Sequence, residues 1–210
     1  ELQRKAETLL EGIAGAAVAM DPSTGEVLAI ASSPTFDQND FVSGLSNQVW
    51  DEIRANPFRP LENKAIQGAY PPASTYKIIT AIAGLEEGVI DENTTFFCPG
   101  HYRLGNRTFR CWKRGGHGKL NVVEAIEKSC DVCGLGTPAG IDIAHEAAGL
   151  VPTADWKKQR TGVSWQAGET LSVAIGQGYN LTTPLQMLAV TAAVGNGGSR
   201  LRPLILQSLR

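Results

Sequence analysis

The sequence predicts an α/β (α+β) domain, an antiparallel sheet sandwiched by helices, with the helix after Ser74 buried among them. Two observations carry this. A helical stretch runs directly into a hairpin pattern, and a near-continuous apolar run follows Lys77. A sheet with one apolar face must cover it, and a helix that is apolar over most of its surface must be buried.

Taken in order, residues 2–13 place Leu2, Ala6, Leu9, Leu10 and Ile13 at helical spacing. Ala16 to Asp21 then reads as a strand, Asp21-Pro22-Ser23-Thr24-Gly25-Glu26 as a tight turn, and Val27 to Ser32 as the antiparallel partner. Residues 33–70 read as irregular, with one helix near Ser46 to Ala55. The central helix is expected from Ser74 to Glu87, after Pro71-Pro72 and before Gly88, a natural stop. Thr94 to Leu120 is glycine-rich and basic, with two small strands, Tyr102 to Leu104 and Arg107 to Cys111, joined at Gly105-Asn106. Asn121 to Asp131 reads as a helix. Residues 134–168 read as loop with a short helix near Asp155 to Gln159. Thr183 to Val194 is a helix with Pro184 in its first turn and Gly195 past its end, and Pro203 to Ser208 reads as a late strand joining the sheet.

Bulk properties exclude several classes. A net charge of -2 gives no reason to expect nucleic acid or an anionic membrane as partner. No apolar stretch approaches the roughly 20 residues of a membrane span, and the opening Glu1-Leu2-Gln3-Arg4-Lys5 is not a leader. Four cysteines are too few for a disulfide scaffold, yet Cys98, Cys111, Cys130 and Cys133 all fall in one third of the chain.

Chemistry is first suggested by Ser74-Thr75-Tyr76-Lys77. Positions i and i+3 share a helix face, so the Lys77 amine is expected to reach the Ser74 hydroxyl. A buried lysine gives up its proton more readily and can serve as a base, and free N–H groups at a helix start can hold an oxyanion. This is the S-x-x-K arrangement of serine acyl transferases. By spacing alone, a serine at a helix start is more often only a cap. Ser129-Cys130-Asp131, at the end of a predicted helix, offers a second hydroxyl that could relay a proton to a leaving amine; its bland reading is again a capping serine.

Cys98, Cys111, His117 and Cys130 form C-x12-C-x5-H-x12-C. Structural zinc sites take four N and S ligands but usually include a short C-x2-4-C knuckle, which these four lack. The setting favours a metal all the same. Cys98 precedes Pro-Gly, His117 lies in Gly115-Gly116-His117-Gly118, and a region with so little apolar content gains from a metal what a core cannot supply. A Cys98–Cys111 disulfide and free thiols remain the alternatives, and Cys130 with Cys133 also makes a C-x-x-C pair.

Longer words of the sequence resemble the transpeptidase domain of class B penicillin-binding proteins, nearest the elongation-type penicillin-binding protein 2 branch. They are AMDPSTGEVLAIASSPTFDQNDF, NKAIQGAYPPASTYKI, CPGHYRLGNRTFRCWKRGGHGKLNVVEAIEKSCDV, GLGTPAGID, GLVPTADWKK, AIGQGYNLTTPLQM and GNGG, in order along nearly the whole chain. The resemblance implies the fold of serine β-lactamases and penicillin-binding transpeptidases. It implies a peptidoglycan D,D-transpeptidase that cross-links D-Ala-D-Ala stem peptides during elongation and is acylated by β-lactams. Ser74 would be the nucleophile and Lys77 its base, with Ser129 and Asp131 in the second motif. The branch also implies metal-binding residues at the Cys98, Cys111, His117 and Cys130 positions, hence a structural zinc. It implies a membrane glycosyltransferase partner and the periplasmic face of the bacterial inner membrane, with the anchor outside this chain.

Three departures stand out. The family's third motif, Lys-Thr-Gly, does not occur in the 210 residues and is expected beyond Arg210. Ala73 stands where the family usually has glycine. Val132 is followed at once by Cys133-Gly134, where the family continues through a helix of about two element lengths; residues are expected to be missing there. Two alternatives to the transpeptidase stay open: a β-lactamase-like hydrolase, and a non-catalytic penicillin-sensing or scaffold domain.

Overall fold

A computed structural model describes residues 1–133, 149–199, 201 and 203. The chain forms two compact units, and each is described by itself.

The first unit is built on a hairpin. Strands β1 (Gly15–Met20) and β2 (Val27–Ser33) pair antiparallel with Val18 opposite Ile30. The turn between them is held by Asp21, whose carboxylate accepts from the Ser23 N–H at 2.7 Å while its N–H donates to Glu26 O at 2.9 Å. Ala29 and Ala31, on the inner face of β2, are buried. Helix α1 (Leu2–Leu9) packs on β2, and the Gln3 side-chain amide joins it to the strand, donating to Ile30 O at 2.9 Å and accepting from Ile30 N at 2.7 Å. The helix stops short of the predicted residue 13 because residues 10–12 turn away, with Gly12 at φ 74. Helix α2 (Gln38–Ser43), absent from the sequence reading, starts on Asp37, whose carboxylate caps Asn39 N. Helix α3 (Asn47–Ala55) starts as expected on a Ser46 cap.

The second unit carries α4 (Lys77–Glu86), preceded by a 3-10 turn at Ala73–Tyr76, then β3 (Thr95–Cys98), β4 (His101–Leu104), β5 (Arg107–Arg110) and β6 (Gly118–Asn121). Strands β4 and β5 form the predicted hairpin, and β3 pairs with β6 across it, Cys98 opposite Gly118. Helix α5 (Val122–Glu127) begins on a capping box between Asn121 and Glu124. Helices α6 (Ala154–Thr161) and α7 (Ala167–Ala174) complete the unit. The Thr80 hydroxyl on α4 donates to Ala174 O at 2.7 Å and so ties α4 to the end of α7. Helix α8 (Pro184–Gly195) belongs to the first unit and packs on β1; Thr183 and Gln186 form its capping box.

The described residues thus hold three two-stranded antiparallel sheets, not one larger sheet. Of the predicted Pro203–Ser208 strand only Pro203 is described, and the rest lies outside the described residues.

The ion pair between α6 and α7 is deeply placed. Lys157 of α6 is 4% exposed and bonds Glu169 of α7 at 2.7 Å and Ser164 O at 3.0 Å. Burial pushes the Glu169 carboxyl up, but the Lys157 ammonium and the Gln166 N–H outweigh it and hold the group below its ordinary value of 4.5. Glu169→Gln keeps the capping geometry at Gln166 and removes only the charge. It is expected to cost about 3 kcal/mol, the low end for breaking a buried pair, because the carboxylate keeps some solvent contact. Denaturant midpoints measure the loss. The folded-state pKa is depressed, so the wild-type advantage is full above pH 4.5 and fades as pH falls through the folded value.

Candidate active site

The nucleophile turn is built from a constraint on each side. Pro71 and Pro72 fix φ ahead of the 3-10 turn, and Tyr76, 2% exposed, anchors its far end. Ser74 between them is exposed. The α-helix begins at Lys77, not at Ser74 as expected. Ala73 sits at φ 49 and donates to Gly176 O at 2.8 Å. Gly176 is itself at φ 71, and a Cβ there would overlap Ala73 N and O, so only glycine lets the two backbones meet. A non-glycine residue in this region carries about 1–2 kcal/mol of strain, against about 0.5–1 of chain entropy for glycine. Ala73→Gly is therefore expected to stabilise the protein by about 0.5–1 kcal/mol, read as a raised melting temperature.

Lys77 is buried, 4% exposed, in the first turn of α4. Its amine donates to Ser129 O at 2.8 Å, Ser129 Oγ at 3.2 Å and Asp131 Oδ1 at 2.6 Å. An ammonium has three protons, and these contacts use all of them. The expected hydrogen bond from Lys77 to Ser74 is accordingly not made: the amine is turned toward the second motif. Three of the four candidate residues, Lys77, Ser129 and Asp131, meet directly, and Ser74 lies one turn before Lys77 on the same segment.

The end of α5 explains why Ser129 faces Lys77. Cys130 N donates to Ala125 O at 2.9 Å and Ser129 N to Ile126 O at 2.9 Å, with Ser129 at φ 48. This is a Schellman ending, in which glycine normally takes the left-handed position. A serine there holds strain of about 1–2 kcal/mol at a functional position. The helix is shorter than predicted because the chain turns at Lys128, three residues before Asp131.

Asp131 is held from both sides. Its Oδ2 accepts from Trp112 N at 3.0 Å, and the Trp112 indole donates to Lys128 O at 3.1 Å. The Trp112 ring also meets His117 edge-on, centroids 5.2 Å apart. Sequence reasoning passed over Trp112; its only signal was an aromatic directly after Cys111.

Cys98, Cys111, His117 and Cys130 converge as the spacing suggested. Cys98 ends β3, Cys111 follows β5, His117 precedes β6 and Cys130 closes α5. Their donor atoms all lie within 4.8 Å of one another, and the three cysteines are buried. His117 Nδ1 is 3.7 Å from Cys98 Sγ and 3.6 Å from Cys111 Sγ. The hairpin is drawn tight by His117 N to Cys98 O at 3.1 Å, and a Cβ on Gly116 would overlap Cys98 O. A tetrahedral zinc with sulfur at about 2.3 Å needs donors about 3.8 Å apart, so this set fits one. Burial, with Lys113 and Lys128 nearby, lowers the His117 pKa and keeps the ring neutral, as a ligand must be. Burial pushes the Cys98 thiol up, but the N–H groups of His117 and Gly100 and the neighbouring thiols bring it below its ordinary value. Burial raises Cys130, and its thiol donates to Cys133 Sγ at 3.3 Å. No disulfide joins any of the four cysteines.

An apolar cavity of about 470 Å³ lies between α4, α5 and α7 and reaches Lys77, Cys130 and Cys133. A smaller one of about 260 Å³ runs along β5 to Asp131.

The chain is similar to known proteins in sequence and in fold. The chain is 40% identical over 230 residues to the peptidoglycan D,D-transpeptidase MrdA of Escherichia coli K12, covering 99% of this chain and 36% of the relative. The structure is similar to Pseudomonas aeruginosa PBP2 in complex with WCK 5153, with TM-score 0.85, 39% identity, and coverage of 96% of this chain and 51% of that one. It is equally similar to Helicobacter pylori PBP2 in a complex with MreC, with TM-score 0.85, 37% identity, and coverage of 93% and 41%. The chain spans about a third of the length of the curated relatives it matches. Among its described residues no helix is long and apolar enough to cross a membrane. The sequence description of the penicillin binding protein transpeptidase domain matches residues 15–133 and 131–210, which include every residue of the site above. By that match over nearly the whole chain, and by its 40% identity to a curated transpeptidase, the chain belongs to the penicillin-binding protein transpeptidase domain family.

Proposed function

We propose that this chain is the acyl-transfer part of a peptidoglycan D,D-transpeptidase of the elongation type. The observation that carries it is the Lys77 amine held between Ser129 Oγ at 3.2 Å and Asp131 Oδ1 at 2.6 Å, one turn after the exposed Ser74. In the first half-reaction Ser74 Oγ attacks the carbonyl between the two terminal D-alanines. The C–O bond forms, the C–N bond breaks, and the last D-alanine leaves with the proton from Ser74. Lys77 takes that proton as the neutral amine, after one of its three ammonium protons has passed to solvent. Ser129 Oγ, the longest of the three contacts, is the one placed to exchange roles and pass the proton to the leaving amine. The second half-reaction gives the acyl group to an amine of a neighbouring stem peptide. A β-lactam would stop at the first half-reaction, as a stable ester on Ser74.

Cys98, Cys111, His117 and Cys130 would hold one structural zinc. With four protein ligands it leaves no position for water, so its role would be to hold the backbone around Cys130 and hence Ser129 and Asp131. The same reading places the third motif beyond Arg210 and a further segment after Val132. Support for the latter comes from an alignment of 230 residues to a chain of 210, and from family matches that meet at residues 131–133. The apolar cavity bounded by Cys130 and Cys133 is where such a segment could pack. The same reading carries a site on the periplasmic face of the inner membrane and a membrane glycosyltransferase partner; similarity to a peptidoglycan synthase complex that coordinates polymerization and crosslinking supports the partner.

The test is turnover. Full-length protein given a peptide ending in D-Ala-D-Ala and a free amine is expected to release D-alanine and form the new amide. Release of D-alanine with water as the only acceptor would favour a hydrolase. Labelling by penicillin without any release would favour the sensing domain.

A further inference from the structure

The basic character of residues 94–120 is not used by the chemistry above. Six lysines and arginines and no acid fall in this stretch of a chain with net charge -2. The fold sets two of them, Arg107 and Arg110, on the wall of one cavity, and of these Arg107 is the one held by an aromatic ring. Side chains alternate along a strand, so Arg107 and Phe109 share one face of β5, and the register sets Tyr102 of β4 opposite Phe109. These three residues line the cavity of about 260 Å³ that also reaches Asp131, Ser172 and Gln177.

Arg107 is held in readiness. Its guanidinium stacks on the Phe109 ring, 4.8 Å from the centroid. The pair rests against the first turn of α7, where a Cβ on Gly168 would come 3.2 Å from Phe109 Cζ and 3.8 Å from Arg107 Nη1. Among the described residues no carboxylate pairs with Arg107. A stacked guanidinium has lost part of its rotamer freedom before a ligand arrives, and its planar fork suits a carboxylate. The one acid on the cavity wall, Asp131, does not compete for that fork. Its Oδ1 is taken by Lys77 at 2.6 Å and its Oδ2 by Trp112 N at 3.0 Å.

We infer that the β4–β5 cavity is a carboxylate subsite, in which Arg107, with Tyr102 beside it, reads an acidic side group of the stem peptide at a distance from the D-Ala-D-Ala bond. This rests on the proposed transpeptidase reading and adds a specificity determinant to it. Arg103, on the opposite face of the same hairpin and paired with Thr108, carries the same charge but does not line the cavity.

The experiment compares two synthetic peptides ending in D-Ala-D-Ala, one with its internal carboxylates free and one with them amidated. D-Alanine release by full-length protein is followed for wild type, Arg107→Gln and Arg103→Gln. Wild type and Arg103→Gln are expected to prefer the acidic peptide by about tenfold in kcat/KM, the worth of one charge-assisted contact. Arg107→Gln is expected to lose that preference while its rate of labelling by penicillin is unchanged. An undiminished preference in Arg107→Gln overturns the subsite. So does an equal loss in Arg103→Gln, which would mean diffuse charge. A wild type that labels with penicillin and turns over both peptides alike overturns the subsite alone. A wild type that neither labels nor turns over peptide overturns the transpeptidase reading beneath it.

Discussion

Ser74→Ala is expected to abolish covalent labelling of the full-length protein by penicillin, and Lys77→Ala to slow it by about 10²–10⁴-fold, the usual worth of a general base. The two losses differ for a physical reason. In the proposed mechanism Ser74 supplies the oxygen that becomes the ester, and the hydroxyl of its neighbour Thr75 is bonded back to Pro72 O. Lys77 supplies proton transfer and position, which solvent replaces poorly but not at zero rate. Removing the Lys77 amine also leaves Asp131 Oδ1 and Ser129 O without their shared donor. Its melting temperature is therefore expected to fall modestly, whereas that of Ser74→Ala should not. Stopped-flow labelling with a fluorescent penicillin separates these outcomes. Labelling of either variant at the wild-type rate would mean that its role is misassigned.

If the proposed zinc is held, Cys130→Ser is expected to destabilise the domain by about 3 kcal/mol or more, well beyond the roughly 0.5 kcal/mol of an ordinary surface change. At about 2–4 °C per kcal/mol for a chain of this size, the melting temperature falls by roughly 6–12 °C. In the proposed site the serine would leave Cys98, Cys111 and His117, whose donors lie within 4.8 Å of one another, without their fourth strong ligand. The loss should reach the second motif, because Cys130 lies between Ser129 and Asp131 and because Trp112 joins the hairpin to Asp131 at 3.0 Å. Treating wild type with a strong chelator should reproduce both the lowered melting temperature and slower penicillin labelling, and added zinc should restore them. Protein purified without chelator that carries no zinc, with a Cys98–Cys111 disulfide in its peptide map, would rule the metal out.

What could be read from the sequence was mostly local. The Asp21-to-Glu26 turn, the Ser46 cap, the Gly105-Asn106 hairpin and the Thr183-Pro184 start of α8 each depend on a few adjacent residues with strong backbone preferences. The pairing of β3 with β6 escaped because its two four-residue strands are far apart in the chain and neither alternates clearly. Helix α7, AGETLSVA, was missed because small and polar residues blur the helical period. At the site, the residues were legible and their mutual geometry was not. Spacing put Lys77 under Ser74, but it could not say that a Schellman turn would present two Ser129 oxygens and Asp131 to the same amine. The cysteine–histidine set was legible only as a count of ligand types; strand ends from distant parts of the hairpin bring it together.

The central claim is that Ser74 is the acyl acceptor of this fold, and intact-mass analysis followed by peptide mapping tests it most directly. Full-length protein incubated with excess penicillin is expected to gain one adduct, on the peptide containing Ser74, that persists for hours. An unmodified Ser74 with the adduct on another residue, or no adduct in a folded protein that retains its third motif, would contradict it.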